Sequence, residues 1–297
     1  MILRATVGPE QAGMRLDDGA RALFPELSKT RIRKIIDWGG CAVSQVMVRV
    51  ASRLLREGEE VAIGLLEPER CVEYALAADD ILRDDGEYLA VNKPAGINSQ
   101  RTPYQLKGTM EYAVELRFRA GGIREPARVV HRLDKGTSGV MFFPKGGRPA
   151  THISWLLKTG GVEKIYWALV SGEPDRDAWT VDAPVAKLNK FRYGVAFPGK
   201  EARTDFRIIV WGAGGTLVEA RPLTGRTHQI RVHLAHSGFP VVGDATYGGD
   251  HASRMMLHCR SMAFRTRAGR PVSAIAPVDG EFRRICEGYG IVLPPEQ

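Results

Sequence analysis

The residues best able to do chemistry in this chain lie in three short segments, the first being HRLDKGTSG at residues 131–139. Asp134 stands there between Arg132 and Lys135, and glycines follow it. Two β-branched residues precede the segment, and glycines allow sharp backbone turns, so we expect a loop at the end of a strand. Two converging cations would keep the carboxylate ionised, as a nucleophile requires. A surface ion pair in a turn explains the same spacing equally well.

The second segment is LTGRTHQIRVHLAH at residues 223–236, which predicts a short helix. Thr227 is a candidate N-cap, and the helical repeat places Ile230 and Leu234 on a buried stripe. Arg231 would then project from a rigid element onto a carboxylate elsewhere in the fold. A guanidinium held in this way can keep a distant acidic side chain ionised and aimed.

The histidines of the second segment raise the question of a metal site. Zinc accepts the ligand types found at His228, His233, His236, Asp244 and Cys259. Their spacing matches neither the HExxH pattern nor a Cys/His finger. We therefore expect no metal, and we assign most of these histidines to structural positions or to a binding surface.

The third segment is KIYWALV at residues 164–170, whose alternation predicts a β-strand. Tyr166 shares one strand face with Ala168 and Val170, and such small neighbours leave room over its ring. A tyrosine that only fills the core is the alternative interpretation, and the strand alone favours it.

The elements that must position these segments are short strands and a few helices. Turn and alternation signals predict strands at 81–82, 88–91, 164–170, 206–211 and 216–220, and helices at 109–119, 151–157 and 227–235. An Asp85-Gly86 turn joins the first two strands into a hairpin. The pattern predicts an α+β fold built on a mixed, mainly antiparallel sheet.

Residues 14–65 have the character of a separate small α/β module. Ser28 is a candidate N-cap for a helix that ends at Gly39-Gly40. The apolar face of this helix holds Ile32, Ile35 and Ile36, and its other faces hold Lys29, Arg31, Arg33 and Lys34. Alternation of Val46, Val48 and Val50, and of apolar residues over 61–65, predicts two short strands after the helix. A basic helix of this kind is either a solvated face or a nucleic-acid contact.

The composition of the chain excludes several classes of protein. The 297 residues include 42 Lys or Arg and 34 Asp or Glu, which gives a net charge of +8. With 44% apolar and 26% charged residues, the chain is neither mostly disordered nor a coiled-coil rod. No apolar run is long enough for a membrane helix, and the start lacks the apolar core of a signal peptide. The four cysteines form no CxxC pair, so we expect a reducing cytoplasm.

In their order along the chain, the three segments resemble the motifs of the RluA-type pseudouridine synthases. The match extends over about residues 80–285, and residues 14–65 resemble the S4 RNA-binding domain that precedes the catalytic domain in many members. The resemblance implies an S4-like RNA-binding domain at 1–66 and a catalytic domain with the pseudouridine synthase fold at 81–297. Pro68 and the acidic cluster that ends in Asp79-Asp80 predict a linker at 67–80.

The resemblance also implies a reaction and its residues. Family members isomerise uridine to pseudouridine in structured RNA, with no cofactor and no metal. By matching motifs, Asp134 would be the nucleophile, Arg231 its salt-bridge partner, and Tyr166 the residue that packs on the uracil ring and takes the C5 proton. Arg132 would fill the gap that an everted uridine leaves, and Lys29, Arg31, Arg33 and Lys34 would bind phosphates. We expect a cytoplasmic monomer acting on ribosomal RNA, with transfer RNA as the other substrate class.

Two other functions compete with this interpretation. A noncatalytic RNA-binding protein would keep the fold, but it has no chemical reason to retain Asp134, Tyr166 and Arg231 together. A metal-dependent hydrolase of a phosphorylated substrate would use the histidine cluster instead, and it would lose activity to a chelator.

Overall fold

A computed structural model describes residues 1–65, 74–102, 105–190 and 192–295. The chain forms two compact units, one of residues 1–75 with 100–117 and the other of residues 76–99 with 118–297. Residues 67–73 of the predicted linker lie outside the described residues. Residues 100–117 belong to the first unit, whereas the predicted boundaries assign them to the catalytic domain; those domain assignments remain a prediction.

The first unit combines two helices with a four-stranded antiparallel sheet of order β1-β4-β2-β3. Its elements are β1 (Ile2–Thr6), α1 (Leu16–Leu23), α2 (Lys29–Asp37), β2 (Cys41–Val43), β3 (Val46–Met47) and β4 (Glu60–Gly64). The sequence predicts only the last two of these strands, and it extends the first of them to residue 50. In the structure that strand stops at Met47, because only Val46 and Met47 pair with β2.

Helix α2 begins and packs as its sequence predicts. The Ser28 hydroxyl accepts a hydrogen bond of 3.2 Å from the backbone N–H of Arg31, which caps the first turn. Ile32, Ile35 and Ile36 are buried in the core of the unit. Gly39 follows with φ +76°, a conformation that glycine adopts at little cost.

The second unit holds all the remaining strands. They are β5 (Ile81–Asp84), β6 (Tyr88–Lys93), β7 (Ser138–Pro144), β8 (Glu163–Ser171), β9 (Ala178–Asp182), β10 (Val185–Lys187), β11 (Tyr193–Val195), β12 (Arg203–Trp211), β13 (Gly215–Pro222), β14 (Leu257–Arg265) and β15 (Pro271–Ile275). Its helices are α4 (Gly147–Thr159), α5 (Gln229–His236) and α6 (Gly280–Gly288), and α3 (Met110–Ala120) has residues in both units. Among the described residues, no helix has the length and apolar composition that crossing a bilayer requires.

Most of these strands form one nine-stranded sheet. Its order is β5-β6-β7-β14-β8-β13-β12-β9, with β15 paired to β14, while β10 and β11 form a separate hairpin. Every pairing in the large sheet is antiparallel except that of β7 with β14. The predicted α+β fold with a mixed, mainly antiparallel sheet is confirmed, and so is the hairpin of β5 and β6.

Two predictions about local structure in the second unit are wrong. The segment that holds Asp134 is a loop leading into β7, not a loop that follows a strand, since residues 129 and 130 form no strand. Helix α5 begins at Gln229, and its N-cap is His228 rather than Thr227. His228 has a left-handed backbone, with φ 58°, so the helix begins only after it. Its ring bonds to the Tyr247 hydroxyl, a contact outside the helix.

Gly139 is required where the Asp134 loop joins the sheet. It is the Cα partner of Cys259 in the parallel pairing of β7 with β14. A Cβ on Gly139 would lie 2.2 Å from the carbonyl oxygen of Cys259, and φ here is +110°. The glycine therefore lets β7 approach β14 closely, which holds the Asp134 loop against the sheet.

Candidate active site

A cavity of about 340 Å³ in the second unit brings the three chemical segments together. Its walls come from the loop at 130–134, from β8 and Leu257 of β14, and from residues 222–231 at the end of β13 and the start of α5. Asp134, Tyr166 and Arg231 all line it. Residues that are widely separated in the sequence thus share one pocket, as the three motifs predict.

Asp134 meets its cationic partner from a distant segment. Arg231 Nη1 donates to Asp134 Oδ2 at 2.8 Å, and His228 Nε2 lies 3.6 Å from the same oxygen. The Asp134 side chain is 19% exposed, so the pocket can reach it. Its neighbour Arg132 is exposed at the rim of the pocket. The carboxylate is held by the tertiary structure, and part of it stays accessible from the cavity.

Arg231 is anchored from behind by a second carboxylate. Its Nε and Nη2 donate to the two oxygens of Asp244 at 2.6 and 2.9 Å. Asp244 is buried, and its Oδ1 also accepts from the backbone N–H of Thr246 at 3.1 Å. Burial disfavours the charged guanidinium, but the bonds to Asp244 and the charge of Asp134 outweigh it and raise the pKa of Arg231. The guanidinium is therefore charged and fixed in orientation.

Tyr247 and His228 lie beside the Arg231 guanidinium and the Asp134 carboxylate. The Arg231 guanidinium lies 5.0 Å from the centre of the Tyr247 ring. The Tyr247 hydroxyl accepts from the Tyr193 backbone N–H at 3.1 Å and lies 2.9 Å from His228 Nδ1. We assign the hydroxyl proton to this second bond, which leaves the imidazole proton on Nε2, facing Asp134. Burial lowers the pKa of His228, which favours the neutral ring.

Tyr166 lies on β8 beside the same cavity. Its Cα partner on β14 is Cys259. Burial, followed by the interaction with Cys259, raises the pKa of Tyr166 well above 10. Burial likewise raises the pKa of Cys259 to about 12. Both groups are therefore protonated at neutral pH, and Tyr166 presents a neutral ring to the pocket.

Sequence reasoning missed a buried lysine at the end of β6. Lys93 is fully buried, and its Nζ donates to the carbonyls of Pro94 at 2.8 Å, Ile97 at 2.7 Å and Lys135 at 3.3 Å. The last bond ties the turn after β6 to the Asp134 loop. Burial lowers the pKa of Lys93 to about 7, although the charge of Asp134 acts in the opposite direction. The sequence YLAVNKPAG predicts only the strand and its turn.

Asp244 was also missed as a partner of Arg231, because its place in the sequence suggests only a possible metal ligand. Within the described ranges, no group of three His, Cys, Asp or Glu side chains is arranged to hold a metal ion. His233 is structural: Nδ1 lies 3.0 Å from the Thr204 hydroxyl and Nε2 lies 3.0 Å from the Ala183 carbonyl. Apart from the metal-ligand interpretation, the sequence marks Asp244 only as part of the turn GDATYGG, which follows α5.

The basic helix α2 of the first unit is partly neutralised by α1. Arg33 pairs with Asp17 at 2.6 Å, and Lys29 pairs with Asp18. The other two cations of the helix, Arg31 and Lys34, are exposed and form no ion pair within the described part of the chain. The cationic surface of this helix is therefore narrower than its sequence predicts.

Comparison with known proteins agrees with the site. The family model for RNA pseudouridylate synthase matches residues 87–236. An uncharacterised RNA pseudouridine synthase of Aquifex aeolicus is 35% identical over 243 residues, covering 79% of this chain and 77% of the relative. The ribosomal large subunit pseudouridine synthase D of Xanthomonas campestris is 32% identical over 304 residues, covering 95% and 91%.

Solved structures give the same result. The human RNA pseudouridylate synthase domain containing 1 matches with a TM-score of 0.57 and 26% identity, over 69% of this chain and 86% of that one. The chain belongs to the RNA pseudouridine synthase family, whose members are isomerases acting on uridine in RNA. This family membership favours the catalytic interpretation over a noncatalytic RNA-binding protein.

Proposed function

We propose that Asp134 is the nucleophile of a uridine isomerisation, and that Arg231 and Tyr166 complete the catalytic set. The observation that carries this proposal is the 2.8 Å contact between Arg231 and Asp134 on the wall of a cavity of about 340 Å³. A cavity of this size suits one nucleoside. The arrangement leaves one carboxylate oxygen free of the Arg231 bond, and that oxygen can face the substrate.

The chemistry needs a carboxylate beside the sugar. The C1′–N1 bond breaks, the base rotates, and a C1′–C5 bond forms; C5 then loses its proton and N1 gains one. Positive charge develops at the sugar as the glycosidic bond breaks, and an adjacent carboxylate stabilises or captures it. Arg231 holds the Asp134 carboxylate in a fixed orientation through the 2.8 Å hydrogen bond. Tyr166 packs on the uracil ring, and its raised pKa opposes action as a base in the resting enzyme.

The substrate class we propose is ribosomal RNA. The name of the Xanthomonas campestris relative supports this class, and that relative aligns with 95% of this chain. A uridine within folded RNA must leave its stack to reach Asp134. Exposed Arg132, next to Asp134 in the sequence and at the rim of the cavity, is placed to fill the vacated position.

We further propose that residues 1–66 form an S4-like RNA-binding domain. Exposed Arg31 and Lys34 would supply its phosphate contacts, while Lys29 and Arg33 would mainly brace α1 against α2. We also propose that the protein acts as a monomer, since one chain supplies all three proposed catalytic side chains. We propose a cytoplasmic location for the protein, and the free thiols of Cys41, Cys259 and Cys286 support it.

The decisive experiment replaces Asp134 with Asn. We expect pseudouridine formation in large-subunit ribosomal RNA, taken from cells that lack the enzyme, to fall about 1,000-fold or more, with RNA affinity unchanged. Asp175→Asn is the matched control, because Asp175 is 80% exposed and lies outside the cavity. EDTA should leave the wild-type rate unchanged. Full activity in Asp134→Asn would refute the proposed role of Asp134.

A further inference from the structure

A second cavity of about 530 Å³ lies against one face of α4 in the second unit. The residues that α4 contributes are spaced as on one side of a helix: Gly147, Ala150, Thr151, Ser154, Trp155 and Lys158. Trp155 is the large aromatic residue among them, and 57% of its surface is exposed. We name this wall the Trp155 surface.

The indole of Trp155 is held in place without being covered. The His152 ring stacks on it, with the ring centres 6.2 Å apart and the planes 25° from parallel. His152 is itself fixed, because its Nε2 lies 2.9 Å from the carbonyl oxygen of Arg265. A fixed and exposed ring loses little freedom when a second flat group stacks on it.

The charge of the Trp155 surface has one sign. Arg128 and Lys158 line it, and none of the described residues that line it is acidic. Both cations are exposed, and neither forms an ion pair within the described ranges. A flat ring and two cations on the wall of one cavity have the composition of a site for a nucleobase with its flanking phosphates.

The Trp155 surface adjoins the active-site cavity. Val130 lines both cavities, four residues before Asp134. Helix α4 also borders both, since Leu157 faces the active-site cavity while Trp155 and Lys158 face the second one. A strand of RNA that places one uridine at Asp134 therefore has its neighbouring nucleotides within reach of Trp155.

We propose that the Trp155 surface binds single-stranded RNA next to the everted uridine, with one base stacked on the Trp155 indole and phosphates on Arg128 and Lys158. This inference rests on the proposed function, because it assigns the nucleotides around the same target uridine. Among the residues that the structure describes, the wall has no acidic side chain and shares Val130 with the active-site cavity, and both features favour RNA over a protein partner.

The test measures binding of a fluorescein-labelled dodecauridylate to the full chain by fluorescence anisotropy. We expect Trp155→Ala to weaken binding about tenfold, the loss of one base stack, and Trp155→Phe to stay within about threefold of wild type. Arg128→Gln and Lys158→Gln should each reduce the slope of log K against log salt by about 0.7. Trp211→Ala is the matched control, because Trp211 is 49% exposed and lies outside both cavities.

A second measurement separates this surface from the chemistry at Asp134. With ribosomal RNA as substrate, we expect Trp155→Ala to raise KM about tenfold and leave kcat unchanged. Asp134→Asn should bind the dodecauridylate as wild type does while forming no pseudouridine. If Asp134→Asn keeps its activity, the proposed function fails, whatever Trp155 does.

Three results would overturn the assignment of the Trp155 surface while leaving the catalytic proposal intact. The first is equal dodecauridylate affinity in wild type and Trp155→Ala. The second is no binding by wild type at up to about 100 μM protein at moderate salt, where even non-specific RNA contacts are measurable. The third is normal activity of Trp155→Ala on purified RNA together with loss of a bound protein, which would identify a protein-binding face.

Discussion

Replacing Asp244 with Asn tests the idea that Arg231 works only because it is anchored from behind. Arg231 is 7% exposed and makes two bonds to Asp244 and one to Asp134. An asparagine has one oxygen in place of two, so it can satisfy either Nε or Nη2 of Arg231 but not both. Its amide nitrogen must then face a guanidinium N–H, a donor against a donor.

The magnitude follows from burial. Removing the charge of one partner in a buried ion pair costs about 3 to 5 kcal/mol, and we expect about 3 kcal/mol because the asparagine keeps one bond. Arg231 would also turn away from its present geometry, which displaces the hydrogen bond to Asp134. A misplacement of about 1 Å lowers a rate about 100-fold. The KM for RNA should change little, since buried Asp244 cannot touch the substrate.

The assay combines urea unfolding with steady-state pseudouridine formation at a temperature where the variant is fully folded. Asp279→Asn is the control, because Asp279 pairs with the buried guanidinium of Arg254 away from the cavity, and asparagine still caps α6. It should lose stability and keep its kcat. A kcat for Asp244→Asn within about threefold of wild type, or an equal loss of kcat in both variants, would refute the anchoring role.

Two further predictions concern the RNA-binding helix and the response to pH. Arg31→Gln with Lys34→Gln should weaken binding to ribosomal RNA and reduce the salt slope by about 1.5, measured by filter binding; an unchanged slope contradicts the assigned phosphate contacts. Burial lowers the pKa of His258 to about 4, beside Arg254 and the Ser138 hydroxyl. The folded state therefore binds fewer protons than the unfolded one, and stability falls as the pH drops from 6.5 towards 4. Wild type should lose about 2 kcal/mol more than His258→Gln between pH 7.5 and 5 in urea titrations, and equal losses contradict this sign.

The sequence by itself determined the elements whose causes are local. Helix α2 was predicted with its cap because Ser28 bonds to a backbone N–H three residues away and the buried isoleucines repeat every helical turn. The strand around Tyr166 was predicted because alternation of side chains is a property of neighbours. The class of reaction was implied by the resemblance to a known family, and the sequence could carry that resemblance because its three motifs are contiguous runs of residues.

Only the tertiary structure decided which groups meet. Asp134 and Arg231 are 97 residues apart, and their contact depends on the pairing of β7 with β14 and of β14 with β8. The local sequence around Asp244 indicates a turn but does not indicate that its carboxylate lies behind Arg231. Hydrophobic alternation determines that a segment is a strand, but every strand shares that pattern, so it does not encode which strands become neighbours. That choice depends on packing across the whole sheet, which is why the supports of the site appear only in the folded chain.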